Sequence, residues 1–130
     1  MILVDTSVWI DIFRDRRKGD LFRQKARGRD LVLCRFTQLE LLQGARDVRE
    51  WAVLADYLDT QTYLEMKNDS WARAAKLYFD LRRRAFTIRS TIDCCIAQIA
   101  IEHDVPLLHR DRDFQKIARI VSLDEEWVKW

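Results

Sequence analysis

Apolar residues along this chain come in short runs separated by longer stretches with helical spacing. Ile2-Leu3-Val4 is too short for a helix and rich in β-branched side chains, which predicts a buried strand. Thr6 to Phe13 carries Val8, Trp9, Ile12 and Phe13 on one amphipathic helical stripe. Leu21 to Ala26 reads as a weaker helix before Gly28, and Leu31-Val32-Leu33-Cys34 as a second strand. Phe36 to Ala45 is helical and ends near Gly44. Val48 to Leu58 follows, with Trp51, Leu54, Ala55 and Leu58 on one face. A short strand is expected around Thr62-Tyr63-Leu64. The spacing of Trp71, Ala75, Tyr78 and Leu81 predicts a long helix from Asn68 to Ala85. Thr91 to His103 is the most apolar helix, with Ile92, Cys95, Ile96 and Ile99 on its inner side. Pro106-Leu107-Leu108 predicts a strand, Arg112 to Ala118 a short helix, and Ile120-Val121 a last strand. Strands alternating with helices imply a parallel sheet flanked by helices, with right-handed crossovers.

Composition narrows this to one helix-rich α/β domain. Three Gly and one Pro in 130 residues argue against a turn-rich all-β fold, and 48% hydrophobic residues argue against a disordered chain. No apolar run approaches the ~18 residues of a membrane span, and Met1-Ile2-Leu3-Val4-Asp5 lacks the basic start of a signal peptide. An unexported domain with no membrane partner is expected. Cys34, Cys94 and Cys95 are odd in number and read as small core residues of a reducing compartment; no Cys or His spacing suits zinc.

The net charge of +2, taken alone, argues weakly against a nucleic-acid partner. Yet 17 of the 23 cations are Arg, whose planar fork suits phosphate. The clusters Arg14-Arg16-Arg17-Lys18 and Arg82-Arg83-Arg84-Arg89 read first as solvated helix ends, with phosphate contact as the alternative.

The acids are more telling. Ligands of a parallel sheet bind outside the carboxyl ends of its strands. Asp5 follows the first strand directly, Glu40 lies six residues beyond Cys34, and Asp111 lies three beyond Leu108 with Asp113 two further on. Asp93 sits among Ile92, Cys94, Cys95 and Ile96. Each has an ordinary reading as a helix cap: Asp5 and Asp111 as N-caps, Thr37-x-x-Glu40 and Ser90-x-x-Asp93 as capping boxes. Together, acids at four helix starts along one sheet edge would repel one another unless a cation sat among them. Oxygen-only ligands favour Mg²⁺ or Mn²⁺, which suits phosphodiester hydrolysis, and Arg89, Arg110 or Arg112 would position the substrate phosphate.

These residues also carry a family resemblance. Val4-Asp5-Thr6-Ser7-Val8-Trp9-Ile10-Asp11, Leu39-Glu40-Leu41-Leu42-Gln43-Gly44, Asp93-Cys94-Cys95-Ile96-Ala97 and Leu107-Leu108-His109-Arg110-Asp111-Arg112-Asp113-Phe114 together resemble the motifs of PIN-domain ribonucleases. The likeness is closer to the VapC-type toxins of toxin–antitoxin pairs. It implies a single PIN domain over residues 1–130, a three-layer α/β/α sandwich with a short, mostly parallel central sheet. It further implies a Mg²⁺- or Mn²⁺-dependent cytoplasmic endoribonuclease leaving 5′-phosphate and 3′-hydroxyl ends. Asp5, Glu40, Asp93 and Asp111 would be the catalytic and metal-holding acids, with Asp113 supporting them through an intervening water. Thr6 or Ser7 would orient Asp5 or a water, or only cap a helix. His109 stands where relatives usually have Thr or Ser; it touches phosphate or water, or merely fills space. A cognate antitoxin and a toxin homodimer are implied partners. Trp9, Trp51 and Trp71 are expected in the core, and Trp127 and Trp130 at a partner contact. Alternatives of other classes are a non-catalytic RNA- or protein-binding module on the same fold, and an acid-cluster phosphatase, which would want paired acids after the first strand.

Overall fold

The computed structural model describes residues 1–130. Five strands, β1 (Ile2–Val4), β2 (Leu31–Cys34), β3 (Tyr63–Leu64), β4 (Leu107–His109) and β5 (Glu125–Trp127), form one parallel sheet in the order β3-β2-β1-β4-β5. The helices are α1 (Thr6–Arg14), α2 (Arg16–Lys25), α3 (Arg35–Gln43), α4 (Val48–Asp59), α5 (Ser70–Arg83), α6 (Thr91–Glu102) and α7 (Arg112–Ile117).

Because neighbouring side chains of a strand point to opposite faces, each short apolar run feeds two cores. Leu3, Val32, Cys34 and Leu107 pack with Leu77, Leu81, Ile96, Ile99 and Phe114 from α5, α6 and α7. Ile2, Val4, Leu33 and Leu108 pack on the other face with Val8, Trp9, Phe22, Leu41 and Leu58 from α1 to α4. Burying such side chains contributes roughly 1.5–3 kcal/mol each, which makes a three-residue central strand stable. The result is the expected helix-rich α/β/α sandwich.

Four local expectations fail for identifiable reasons. The last strand is Glu125–Trp127, while Ile120 and Val121 close hydrogen bonds back to Ile117 and cannot join a ladder. An edge strand tolerates charged residues, so its acids hid it. On α5 the buried stripe is Ala74, Leu77 and Leu81; small Ala74 lies inside, and Trp71 is 57% exposed. Trp51 on α4 is also exposed, leaving Trp9 as the core tryptophan of the three. The C-terminal tryptophans fold back on the chain. Trp130 Nε1 donates to Asp11 at 3.0 Å, and the Trp127 ring packs edge-on against His109.

Candidate metal centre

The winding of the chain creates the crevice. From β1 it moves outward through β2 to β3, then returns to place β4 on the other side of β1. The loops leaving β1 and β4 therefore diverge, and a parallel sheet opens its binding crevice where they do. Asp5 leaves β1 as the N-cap of α1, accepting the Ser7 N–H at 3.0 Å. Asp111 leaves β4 as the N-cap of α7, accepting the Asp113 N–H at 3.0 Å. Capping and site roles thus coincide in the same two side chains.

For the other two acids the capping reading fares differently. Ser90 does cap α6, accepting the Ile92 N–H at 3.1 Å, and Asp93 follows in the first turn. No box forms at Thr37: α3 starts at Arg35, its cap position is Cys34, and no side chain caps it. Thr37 is instead fully buried, 3.1 Å from the Thr6 hydroxyl, which donates to Glu40 Oε1 at 3.0 Å. Glu40 is thereby held from α1 across to α3.

The electrostatics tie the four together. Burial, partly offset by hydrogen bonds from Ser7 and Thr6, pushes the Asp5 carboxyl above its usual range, and Asp111 repels it further. Glu40 is pushed up by burial and by Asp5 and Asp111, against the Thr6 hydrogen bond. Asp93 is raised to about 8, by burial and then by Asp111, Asp5, Asp113 and Glu40. Ligand atoms of Asp93, Asp111 and Asp113 lie within 4.8 Å of one another. Carboxylates this crowded favour a cation, and an all-oxygen set suits a hard divalent ion such as Mg²⁺ or Mn²⁺.

One cation already reaches the rim. Arg89 Nη2 donates to Asp111 Oδ1 at 2.7 Å, and its backbone N–H and Nε donate to Asp113 Oδ2 at 3.1 and 3.3 Å. Lys116 stands 3.5 Å from the other oxygen of Asp113. These contacts overcome burial and hold the Asp113 carboxyl below its usual range. Of the three arginines expected to meet substrate phosphate, Arg89 is thus engaged with acids. Arg110 is ion-paired to Asp11 at 2.8 Å and donates to the Val128 carbonyl at 2.6 Å. Arg112 is exposed at the start of α7, where it shares a shallow cleft with Gln115, Trp127 and Lys129.

Ser7 links the two loops, donating its hydroxyl to Asp5 Oδ2 and accepting the Arg110 N–H at 2.9 Å. His109 is fully buried: Nε2 lies 2.7 Å from Glu125 Oε2, and Nδ1 accepts the Asp111 N–H at 3.1 Å. Thr37, Asp11 and Glu125 all escape the sequence reading. For Glu125 a signal existed: in a strand, Glu125 and Trp127 share one side, so reading 125–127 as a strand puts Glu125 beside His109.

Comparison with known proteins agrees with this geometry. The PIN domain family model matches residues 2–120. The chain is 34% identical to VapC ribonuclease Mb1587 of Mycobacterium bovis, covering 95% of this chain and 96% of that protein. The same figures hold for ribonuclease VapC11 of Mycobacterium tuberculosis. Among solved structures, VapBC2 from Rickettsia felis bound to a DNA fragment from its promoter matches with TM-score 0.78 at 16% identity, over 99% of this chain and 100% of that one. DNA-bound VapBC from Salmonella typhimurium matches with TM-score 0.76 at 17% identity, over 98% of each chain.

Proposed function

This chain belongs to the PIN-domain family and to its VapC ribonucleases, and from that membership we propose that it is a metal-dependent endoribonuclease toxin restrained by a cognate antitoxin. The observation that carries the reading is the crowding of Asp5, Glu40, Asp93 and Asp111 at the one crevice where the sheet reverses its winding. We read residues 1–130 as one such domain.

Asp5, Glu40, Asp93 and Asp111 would hold the ion, Mg²⁺ or Mn²⁺, with Asp113 in support, and such an ion would lower the pKa of water and draw charge from the phosphate oxygens. The remaining work belongs to the chain. Ser7 and Thr6 hold Asp5 and Glu40 in place. Arg112, exposed at the start of α7, meets the RNA backbone. Hydrolysis joins a water oxygen to phosphorus and breaks the bond to the 3′-oxygen, giving 5′-phosphate and 3′-hydroxyl ends. The water's proton passes to a carboxylate of the cluster, and the 3′-oxygen takes one from solvent.

The apolar surface supports protein partners. A cleft of about 450 Å³ between α1, α2 and α4 exposes Phe13 and Tyr57. Together with Ile12 and Phe22 these rings give the cleft an apolar lining suited to an apolar segment of the antitoxin. A second cleft of about 300 Å³, lined by Phe36, Leu39, Met66 and Trp71, suits a second copy of the chain. No helix is long and apolar enough to cross a membrane; the cytoplasm is the compartment that fits three free thiols.

The test is cleavage of a mixed single-stranded RNA pool by purified protein, with Mg²⁺, Mn²⁺ or excess chelator. Cleavage only with metal, leaving 5′-phosphate ends, is expected. Cleavage that persists in chelator overturns the metal reading. RNA or partner binding without cleavage under any metal would make the chain a non-catalytic module.

A further inference from the structure

Three backbone N–H groups where β4 passes into α7 go to side chains rather than to a ladder. The Arg110 N–H goes to Ser7 Oγ, the Asp111 N–H to His109 Nδ1, and the Asp113 N–H to Asp111 Oδ1. The middle one is unusual, because its acceptor is a fully buried imidazole. An imidazole nitrogen that accepts an N–H carries no proton of its own, so the other nitrogen must hold it. That nitrogen, Nε2, is 2.7 Å from Glu125 Oε2 and donates to it. Both nitrogens are therefore committed, and one tautomer satisfies both contacts.

The ring cannot turn away. Phe114 lies against it at 5.1 Å between centroids, and Trp127 meets it edge-on at 5.7 Å. Glu125 sits on β5, whose register pairs His109 with Trp127 and leaves Glu125 two residues away on the same side. The glutamate is thus fixed by the sheet, the imidazole by the glutamate, and the Asp111 backbone by the imidazole. We propose that His109 and Glu125 form a positioning pair that sets the Asp111 carboxylate in the metal centre. This rests on the reading of Asp111 as a metal-holding acid. His109, being buried, touches neither substrate nor the reacting atoms.

Partners behind metal-holding groups typically contribute 10–100-fold to metal affinity or activity. The experiment compares H109N, H109Q and E125Q with the parent, measuring Mn²⁺ affinity of the metal-free protein by calorimetry well below the melting range. RNA cleavage kinetics and thermal melts are recorded alongside. Asn can offer an acceptor near the position of Nδ1, whereas Gln reaches only toward Glu125. The expected result is that H109Q loses roughly tenfold or more in Mn²⁺ affinity and in kcat with KM for RNA unchanged, while H109N recovers most of the loss. E125Q, whose neutral amide accepts the Nε2 proton more weakly than a carboxylate, falls between the parent and H109Q, and E125Q equal to the parent would deny Glu125 its part. Nitrogen-15 spectra of the parent should show a proton on Nε2 and none on Nδ1.

Equal Mn²⁺ affinity in H109N and H109Q, or lowered melting temperatures with unchanged affinity and kcat, overturns the proposal. A proton found on Nδ1 overturns it as well, and needs no variant to fold. D111N separates the two layers of the argument. If D111N keeps full metal affinity and cleavage, the reading of Asp111 fails. If D111N loses them and H109Q does not, only the positioning pair fails.

Discussion

The starts of α6 and α7 each place an aspartate in the first helical turn, beside the same crevice and within reach of one another, and the two behave oppositely. Asp93 is driven up to about 8, with burial and four acids against its charge. Asp113 is also a buried side chain, yet it is held below its usual range by Arg89 and Lys116, against the push of burial. Burial alone therefore does not decide ionisation here; the position of the cations does. At α7 the chain supplies its own positive charge and closes the account locally. At α6 no cation pairs with Asp93, and this is the place where the proposed metal ion would sit.

This contrast can be broken most sharply by removing each charge in turn. D93N and D5N should cost cleavage more than the roughly 10–100-fold expected of a supporting residue, without unfolding the domain. Residual cleavage near the parent's rate would deny both acids their role. D113N should leave the metal-free fold weaker by about 1–3 kcal/mol, since Arg89 and Lys116 lose a charged acceptor; urea unfolding measures it. An unchanged midpoint would mean that the Asp113 pairs contribute nothing.

The pH dependence sharpens the comparison further. The Asp93 carboxyl is raised in the folded chain, so folding favours its protonated form. That contribution is complete below the unfolded value near 3.8 and is lost as the pH rises through about 8. The metal-free parent should therefore lose melting temperature from about pH 4 toward pH 8, Mn²⁺ should restore it, and D93N should melt above the parent at pH 8 by a margin that shrinks as the pH falls toward 4. Coincident melts of parent and D93N at all pH values would contradict the shift. The smallest effect is expected from R89Q: Arg89 is 75% exposed, so the metal-free melt should drop by only ~1–3 °C, and less in high salt. A large, salt-independent drop would make Arg89 a buried structural tie instead.

Much of the fold was legible because periodicity is a local property. β2 at Leu31–Cys34 and α4 from Val48 are where the pattern places them, and every strand except β5 was anticipated. The misses share a cause. Trp51 and Trp71 lie on apolar stripes, but which part of a stripe faces inward depends on the neighbouring helix. Ile120-Val121 looks like a strand and Glu125-Glu126-Trp127 does not, yet the free sheet edge beside β4 took the second. Ladder position is a tertiary fact that no short window contains.

The chain by itself determined its alternation of strands and helices, its family motifs, and acids at or near the starts of α1, α6 and α7, with Glu40 a turn further into α3. Those follow from side-chain period and capping chemistry, which act over a few residues. Tertiary structure decided which acid is paired and which is not. Arg89 reaches Asp111 and Asp113 across more than twenty residues, Glu125 reaches His109 across sixteen, and Thr6 reaches Glu40 across thirty-four. Charge interactions and hydrogen bonds depend on distance through space, and only the folded chain sets those distances.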